Sequence, residues 1–129
     1  MTNRQTISTH TQWETRLSYS RAVRVGNLVE VAGTTAIDEH GNIVGSDDAY
    51  EQARFILRKI ERALNDAGAT RQQVVRTRMY VTNIRDWQEV GRAHGEFFRE
   101  INPAATLVAV AALVDNQLLV EIEATAIIE

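Results

Sequence analysis

The chain has 129 residues, 44% of them hydrophobic, which is enough for one domain with a single core and too few for two. Its net charge of −3, with one lysine, Lys59, among scattered arginines, argues against binding driven by nucleic-acid phosphates, which needs a basic excess. The absence of cysteine excludes disulfides, a thiol nucleophile and a thiolate metal site.

Met1-Thr-Asn-Arg-Gln lacks the apolar core of a signal peptide, and no apolar run is long enough to cross a bilayer. A soluble cytoplasmic protein is expected. Residues 4 to 9 suggest a short edge strand, and the polar, aromatic stretch Trp13 to Ser20 reads as an ordered loop. Ala22 to Val25 and Leu28 to Ala32 flank Gly26-Asn27, a two-residue hairpin signal in which glycine supplies the positive φ. Gly33 is expected to close the second strand, before a turn-rich connection from Asp38 to Gly45.

Asp47 to Ala67 carries the strongest helical pattern. Ala49, Ala53, Ile56, Leu57, Ile60, Leu64 and Ala67 form one apolar stripe. Asp48 with Glu51 fits a capping box, and Gly68 sits where a C-terminal cap belongs. Val74 to Val81 alternates as a strand, placing Val75, Thr77, Met79 and Val81 on one face and Val74, Arg76, Arg78 and Tyr80 on the other. A second helix is expected from Asp86 to about Glu100, capped by Asp86 with Glu89, its inner stripe made of Trp87, Val90, His94, Phe97, Phe98 and Ile101. Gly91 inside it costs about 1 kcal/mol against alanine, which points to close packing or to a space kept open.

Asn102-Pro103 ends that helix. The runs Thr106 to Val114 and Leu118 to Ile128, separated by Asp115-Asn116-Gln117, read as an antiparallel strand pair in mid-sheet. In the second run Glu121, Glu123 and Thr125 share one face, while Val120, Ile122, Ala124 and Ala126 share the other. The whole order gives an α+β fold: a sheet with two helices on one face. The uncovered face would carry Arg76, Arg78, Glu121 and Glu123 among Val74, Tyr80 and Ile127. Such a surface is too apolar for water and too charged for a core, so burial against other copies of the chain is expected.

No glycine-rich phosphate loop, metal cluster or Gly-x-Ser-x-Gly elbow is present. His10 and His40 read as surface residues, and Trp13 and Trp87 as packing residues. His94 reads as a satisfied half-buried histidine or, more sharply, a catalytic one. Glu121 is open to two readings: an interface ion pair with an arginine, or a general acid/base whose pKa is raised by partial burial.

The chain resembles the Rid family, the YjgF-like reactive intermediate deaminases also labelled endoribonuclease L-PSP, over nearly its full length. The matching pieces are Tyr19-Ser20, Gly26-Asn27, Val31-Ala32-Gly33, Ala67-Gly68 and Val74-Val75-Arg76-Thr77, then Phe97-Phe98, Pro103-Ala104 and Val120-Glu121-Ile122-Glu123-Ala124. The resemblance implies a chorismate-mutase-like single domain over residues 1–129 with a mixed sheet. It also implies a homotrimer with a central barrel and three clefts between subunits. It implies hydrolysis of amino-acid-derived enamines and imines, such as 2-aminoacrylate, to keto acids and ammonia, without a cofactor.

Carried over residue by residue, the family's tyrosine falls on Tyr19, its glycine carbonyl on Gly33 and its glutamate on Glu121. The arginine that grips the substrate carboxylate is missing. Its place holds Ala105, followed by Thr106, and Gly91 replaces a cleft asparagine. Losing a bidentate charged contact costs on the order of 1.5–3 kcal/mol per hydrogen bond, unless another arginine substitutes, with Arg21 the candidate. The expectation is a homotrimer binding a small polar metabolite in clefts lined by Tyr19, Gly33, Glu121 and His94. Efficient 2-aminoacrylate hydrolysis is not expected. Whether the cleft turns its ligand over or only binds it stays open, with a ribonuclease or translation inhibitor as the third reading. Neither nucleic acid nor membrane is expected as a partner.

Overall fold

A computed structural model describes residues 3–129. The elements are β1 (Arg4–Ile7), α1 (Gln12–Leu17), β2 (Ala22–Val25), β3 (Leu28–Thr34), α2 (Ala49–Asp66), β4 (Val74–Val81), α3 (Trp87–Phe97), β5 (Ala104–Ala109) and β6 (Val120–Ile127). All six strands join one mixed sheet in the order β1-β2-β3-β6-β4-β5.

The long helix forms as its stripe predicts. Its N-cap Asp48 accepts from the Glu51 N–H, and Ala49, Ala53, Ile56, Leu57, Ile60 and Leu64 are all buried. At its end Gly68 takes φ +89°. The Ala69 N–H then reaches the Leu64 carbonyl and the Gly68 N–H the Asn65 carbonyl, the two bonds of a Schellman closure. The helix and α3 cover one sheet face, burying Val29, Val31, Met79, Val81, Val120, Ile122, Ala124 and Ala126 beneath them.

Several local expectations are corrected. Trp13 to Ser20 is not a loop: Gln12–Leu17 is helical, with the Thr11 hydroxyl accepting from the Glu14 N–H and Ser18 closing it in the left-handed region. The β4 alternation is offset at its start. The β4/β6 register shifts between Val74 and Arg76, and this extra residue turns Val74 into the core and leaves Val75 46% exposed. The second helix is shorter than read and ends at Phe97. Asp86 makes no side-chain cap; instead Asn83 caps a single 3-10 turn, Ile84–Asp86, ahead of it. That lead-in rotates Trp87 off the inner stripe, to 52% exposure.

The largest correction concerns the C-terminal strand pair. β5 and β6 are not neighbours. β5 lies at the sheet edge parallel to β4, and β6 inserts between β3 and β4, antiparallel to both. Buried Gln52 of α2 explains where the intervening chain goes. Its amide donates to the Gln117 carbonyl and accepts from the Leu119 N–H, which pins the entry to β6 beneath the helix. The alternation within β6 is as expected: Val120, Ile122, Ala124 and Ala126 are buried, while Glu121, Glu123, Thr125 and Ile127 are half-buried on the uncovered face.

Candidate functional site

The site is built around an irregularity in β3. Val31 pairs with Ala124 and Thr34 with Ile122, so Ala32 and Gly33 together stand opposite Glu123 alone. This is a β-bulge, a device that re-aims side chains and is common beside functional sites. Gly33 therefore does not close the strand; it sits inside the bulge, against the half-buried Glu121 side chain. A Cβ there would overlap Glu121 Oε2 and come within 3.0 Å of its Cδ.

Behind the bulge lies the buried guanidinium of Arg21. Its Nη1 donates to the Gly33 carbonyl at 2.7 Å and to Thr34 Oγ1 at 2.9 Å, and its Nη2 donates to the Tyr19 hydroxyl at 3.3 Å. The structure thus brings Tyr19, Arg21, Gly33 and Glu121 into one cluster. Burial pushes the Glu121 carboxyl above its ordinary pKa, opposed by the positive charge of Arg21 and reinforced by the negative charge of Glu123. Glu123 itself takes a hydrogen bond from the Tyr80 hydroxyl at 2.9 Å and lies 3.7 Å from Arg78, its cross-strand neighbour. The remaining arginine of this face, Arg76, donates to Thr106 Oγ1 at 2.7 Å.

His94, Ala105 and Gly91 belong to a different place. His94 Nε2 hydrogen-bonds Thr77 Oγ1 at 2.8 Å, its ring packs on Phe98, and burial lowers its pKa, favouring the neutral imidazole. Thr77 lies on the helix-covered face of β4, and Ala105 pairs with it in the register. Glu121 instead pairs with Tyr80 and projects from the uncovered face. One chain therefore holds these residues in two separate places: Tyr19, Arg21, Gly33 and Glu121 at the bulge, and Thr77, His94 and Ala105 at the β5 edge. Thr106 lies on the uncovered face beside Arg76. At Gly91 an added Cβ meets nothing within 4 Å, so the position borders open space and is not closely packed.

Glu14 is the residue that sequence reasoning missed. It is buried and accepts from the Ser8, Thr9 and Thr11 hydroxyls and the Thr9 N–H. Burial alone would raise its pKa, but those bonds and the charge of Arg21 outweigh that cost and hold the carboxyl at a pKa of about 2. Its Oε2 lies 3.5 Å from Arg21 Nε. The spacing Thr11-Gln-Trp-Glu14, a helix-capping pattern, was the signal that could have found it.

A surface groove of about 950 Å³ lies against α1 and α2, lined among others by Trp13, Phe55, Arg58, Lys59, Arg62, Asp38 and Asp66. Its mixed charges select no ligand class. Among the described residues no group of three or more His, Asp or Glu side chains is placed to hold a metal ion, and no helix is long and apolar enough to cross a membrane.

A mixed sheet with two helices on one face, and on the other a half-buried glutamate of β6 set against the bulge of β3, defines an α+β protein of the chorismate-mutase-like fold. The chain belongs to the Rid (YjgF-like) family: the family model described as Endoribonuclease L-PSP matches residues 9–128. A crystal structure of a YjgF/YER057c/UK114 family member from Mycobacterium tuberculosis is similar with a TM-score of 0.89 and 48% identity, covering 98% of this chain and 100% of that one. An uncharacterised protein of Streptomyces coelicolor is 35% identical over 120 residues, 93% of this chain and 89% of its own. The 3-aminoacrylate deaminase RutC of Acinetobacter baylyi is 31% identical over 108 residues, 84% of this chain and 85% of its own.

Proposed function

We propose that the chain assembles as a homotrimer and hydrolyses a small imine or enamine in clefts between subunits, with Glu121 as the acid/base. The observation that carries the reading is the bulge. It seats a carboxyl of raised pKa against the Gly33 backbone and beside a buried arginine, so Glu121 holds a proton more readily than an ordinary carboxyl and is placed to exchange one with a bound ligand. In the reaction, the carboxylate takes a proton from water as its oxygen adds to the C=N carbon. The carboxylic acid so formed returns that proton to nitrogen, giving a carbinolamine; the carboxylate then takes the hydroxyl proton and passes it to nitrogen as the C–N bond breaks, leaving a carbonyl product and ammonia. An enamine first takes a proton on carbon and gives one up from nitrogen to reach the same imine.

The name of the Acinetobacter relative, a 3-aminoacrylate deaminase, supports this substrate class. Trimerisation is supported by the uncovered, half-buried mixed face of Arg76, Arg78, Tyr80, Glu121 and Glu123. It would also let the bulge cluster of one copy meet the β5-edge cluster of another. The substrate is expected to be less anionic than 2-aminoacrylate, because Ala105 offers no charge. Arg21 does not replace the missing arginine freely, since its Nη1 is committed to Gly33 and Thr34.

The test is ammonia release from a panel of imines and enamines by the parent and by Glu121→Gln. A loss on the order of 10²–10⁴-fold is expected in the variant. Binding of panel compounds without turnover would replace the enzyme by a binding protein. Light scattering is expected to give three times the 14.5 kDa chain mass, and a monomer mass refutes the shared cleft.

A further inference from the structure

The Glu14–Arg21 pair is unusual for a surface-proximal helix. Both side chains are buried, 4% exposed each, and they come from different elements, α1 and the segment entering β2. Arg21 Nε is the one buried side-chain polar atom among the described residues without a hydrogen bond, although Glu14 Oε2 is only 3.5 Å away. Glu14 therefore meets Arg21 mainly as a charge, while its own lone pairs are taken by the Ser8, Thr9 and Thr11 cradle. On its far side Arg21 contacts the Gly33 carbonyl, Thr34 and Tyr19, which are the walls of the Glu121 site.

We propose that Glu14 is a positioning residue for the Glu121 site: cradled by Ser8, Thr9 and Thr11, it holds Arg21 against the Gly33 carbonyl and the Tyr19 hydroxyl, and sets the net charge that Glu121 meets. The proposal rests on the reading of Glu121 as the acid/base, and it deepens that reading by saying how the acid is tuned. At Glu121 burial and Glu123 favour the neutral carboxyl and Arg21 favours the carboxylate; on this proposal Glu14, 3.5 Å behind Arg21, offsets part of that positive charge. The other charged or titratable groups facing this region are Glu123 on the same strand, Glu30 on β3, Arg78 and Tyr80 on β4, Tyr19 before β2, and Lys59 on α2. Lys59 faces Arg21 and Glu14 from the helix side and donates to the Ile37 carbonyl at 3.1 Å. A purely structural Glu14 would influence folding alone. A charge-setting Glu14 moves the Glu121 titration in a direction fixed in advance.

The experiment follows Glu121 directly, by NMR titration of protein carrying 13C at the glutamate side-chain carboxyls, with Glu121→Gln used to assign the resonance. Glu14→Gln keeps an acceptor oxygen in the cradle and removes the charge. The Glu121 midpoint is expected to fall by about half a pH unit or more, because Arg21 then acts unopposed. Lys59→Met removes a cation from the same cluster and is expected to move the midpoint up, by less. Opposite shifts from the two variants support the proposal; an unchanged midpoint in folded Glu14→Gln, or shifts of the same sign, overturns it. Should Glu14→Gln not fold, Glu14→Asp, which keeps the charge but draws it back from Arg21, decides: a smaller fall of the Glu121 midpoint is expected, and no fall overturns the proposal. The readout needs no turnover. Shifts as expected without ammonia release from any substrate would sink the hydrolase reading and leave the charge coupling standing, whereas turnover with unmoved midpoints would sink this inference alone.

Discussion

Gly33→Ala isolates the geometry of the site from its stability. The Gly33 φ lies outside the left-handed region, so alanine brings no backbone strain there. Its Cβ overlaps Glu121 Oε2 and approaches Cδ to 3.0 Å and Cγ to 3.4 Å. The only atoms in the way are the far end of one flexible side chain, so Glu121 yields by about 1 Å, at a rotamer cost of roughly 0.5–1.5 kcal/mol. Part of this is offset by about 0.4–1 kcal/mol from the stiffer unfolded chain. The melting temperature should therefore fall by no more than about 5 °C. A displacement of that size at a reacting group costs on the order of 10²-fold in rate. The assays are thermal unfolding, kcat/KM on the best substrate of the imine panel, and the Glu121 carboxyl titration. Wild-type kcat/KM in a folded Gly33→Ala variant would refute the role given to the bulge. So would a collapse in melting temperature, which would mean that Gly33 serves the core instead.

Three further outcomes are expected. The Glu14 carboxyl is held near pKa 2 against an ordinary 4.5, so its folded-state pKa is depressed. Its stabilisation, on the order of 3 kcal/mol, is present above about pH 4.5 and lost as pH falls towards 2; denaturant unfolding across that window should show the loss, and Glu14→Gln should flatten it. His94, whose burial favours the neutral ring, contributes in the opposite sense to a paired histidine. Stability should decline as pH falls below about 6.5, and an unchanged acid limb between pH 7 and 5 in His94→Gln would contradict this. Ala105→Arg should raise kcat/KM for 2-aminoacrylate by about tenfold or more, the worth of one charge-assisted hydrogen bond, with no gain on uncharged imines.

The face of each β6 residue was legible because alternation is a local property. Val120 to Ile127 has period two, and Glu121 and Glu123 had to emerge on the side away from the helices. The α2 stripe and both of its caps were legible for the same reason, being set within one or two turns of chain. The family resemblance placed Tyr19, Gly33 and Glu121 in one site, and the fold does bring them together.

What the sequence alone could not decide was partnership between elements. β5 and β6 look like a hairpin, yet β6 pairs with β3 and β4, because neighbours in a sheet are chosen by burial and hydrogen bonding across the whole domain, including the grip of Gln52 on residues 117–119. The bulges at Val74–Arg76 and Ala32–Gly33 are equally non-local, since each is a mismatch between two strands and neither strand shows it alone. Glu14 illustrates the point most sharply. In the sequence it is one carboxylate in a polar stretch, and only the folding of α1 against β2 turns it into a buried counter-charge for Arg21, one side chain removed from the bulge that faces Glu121.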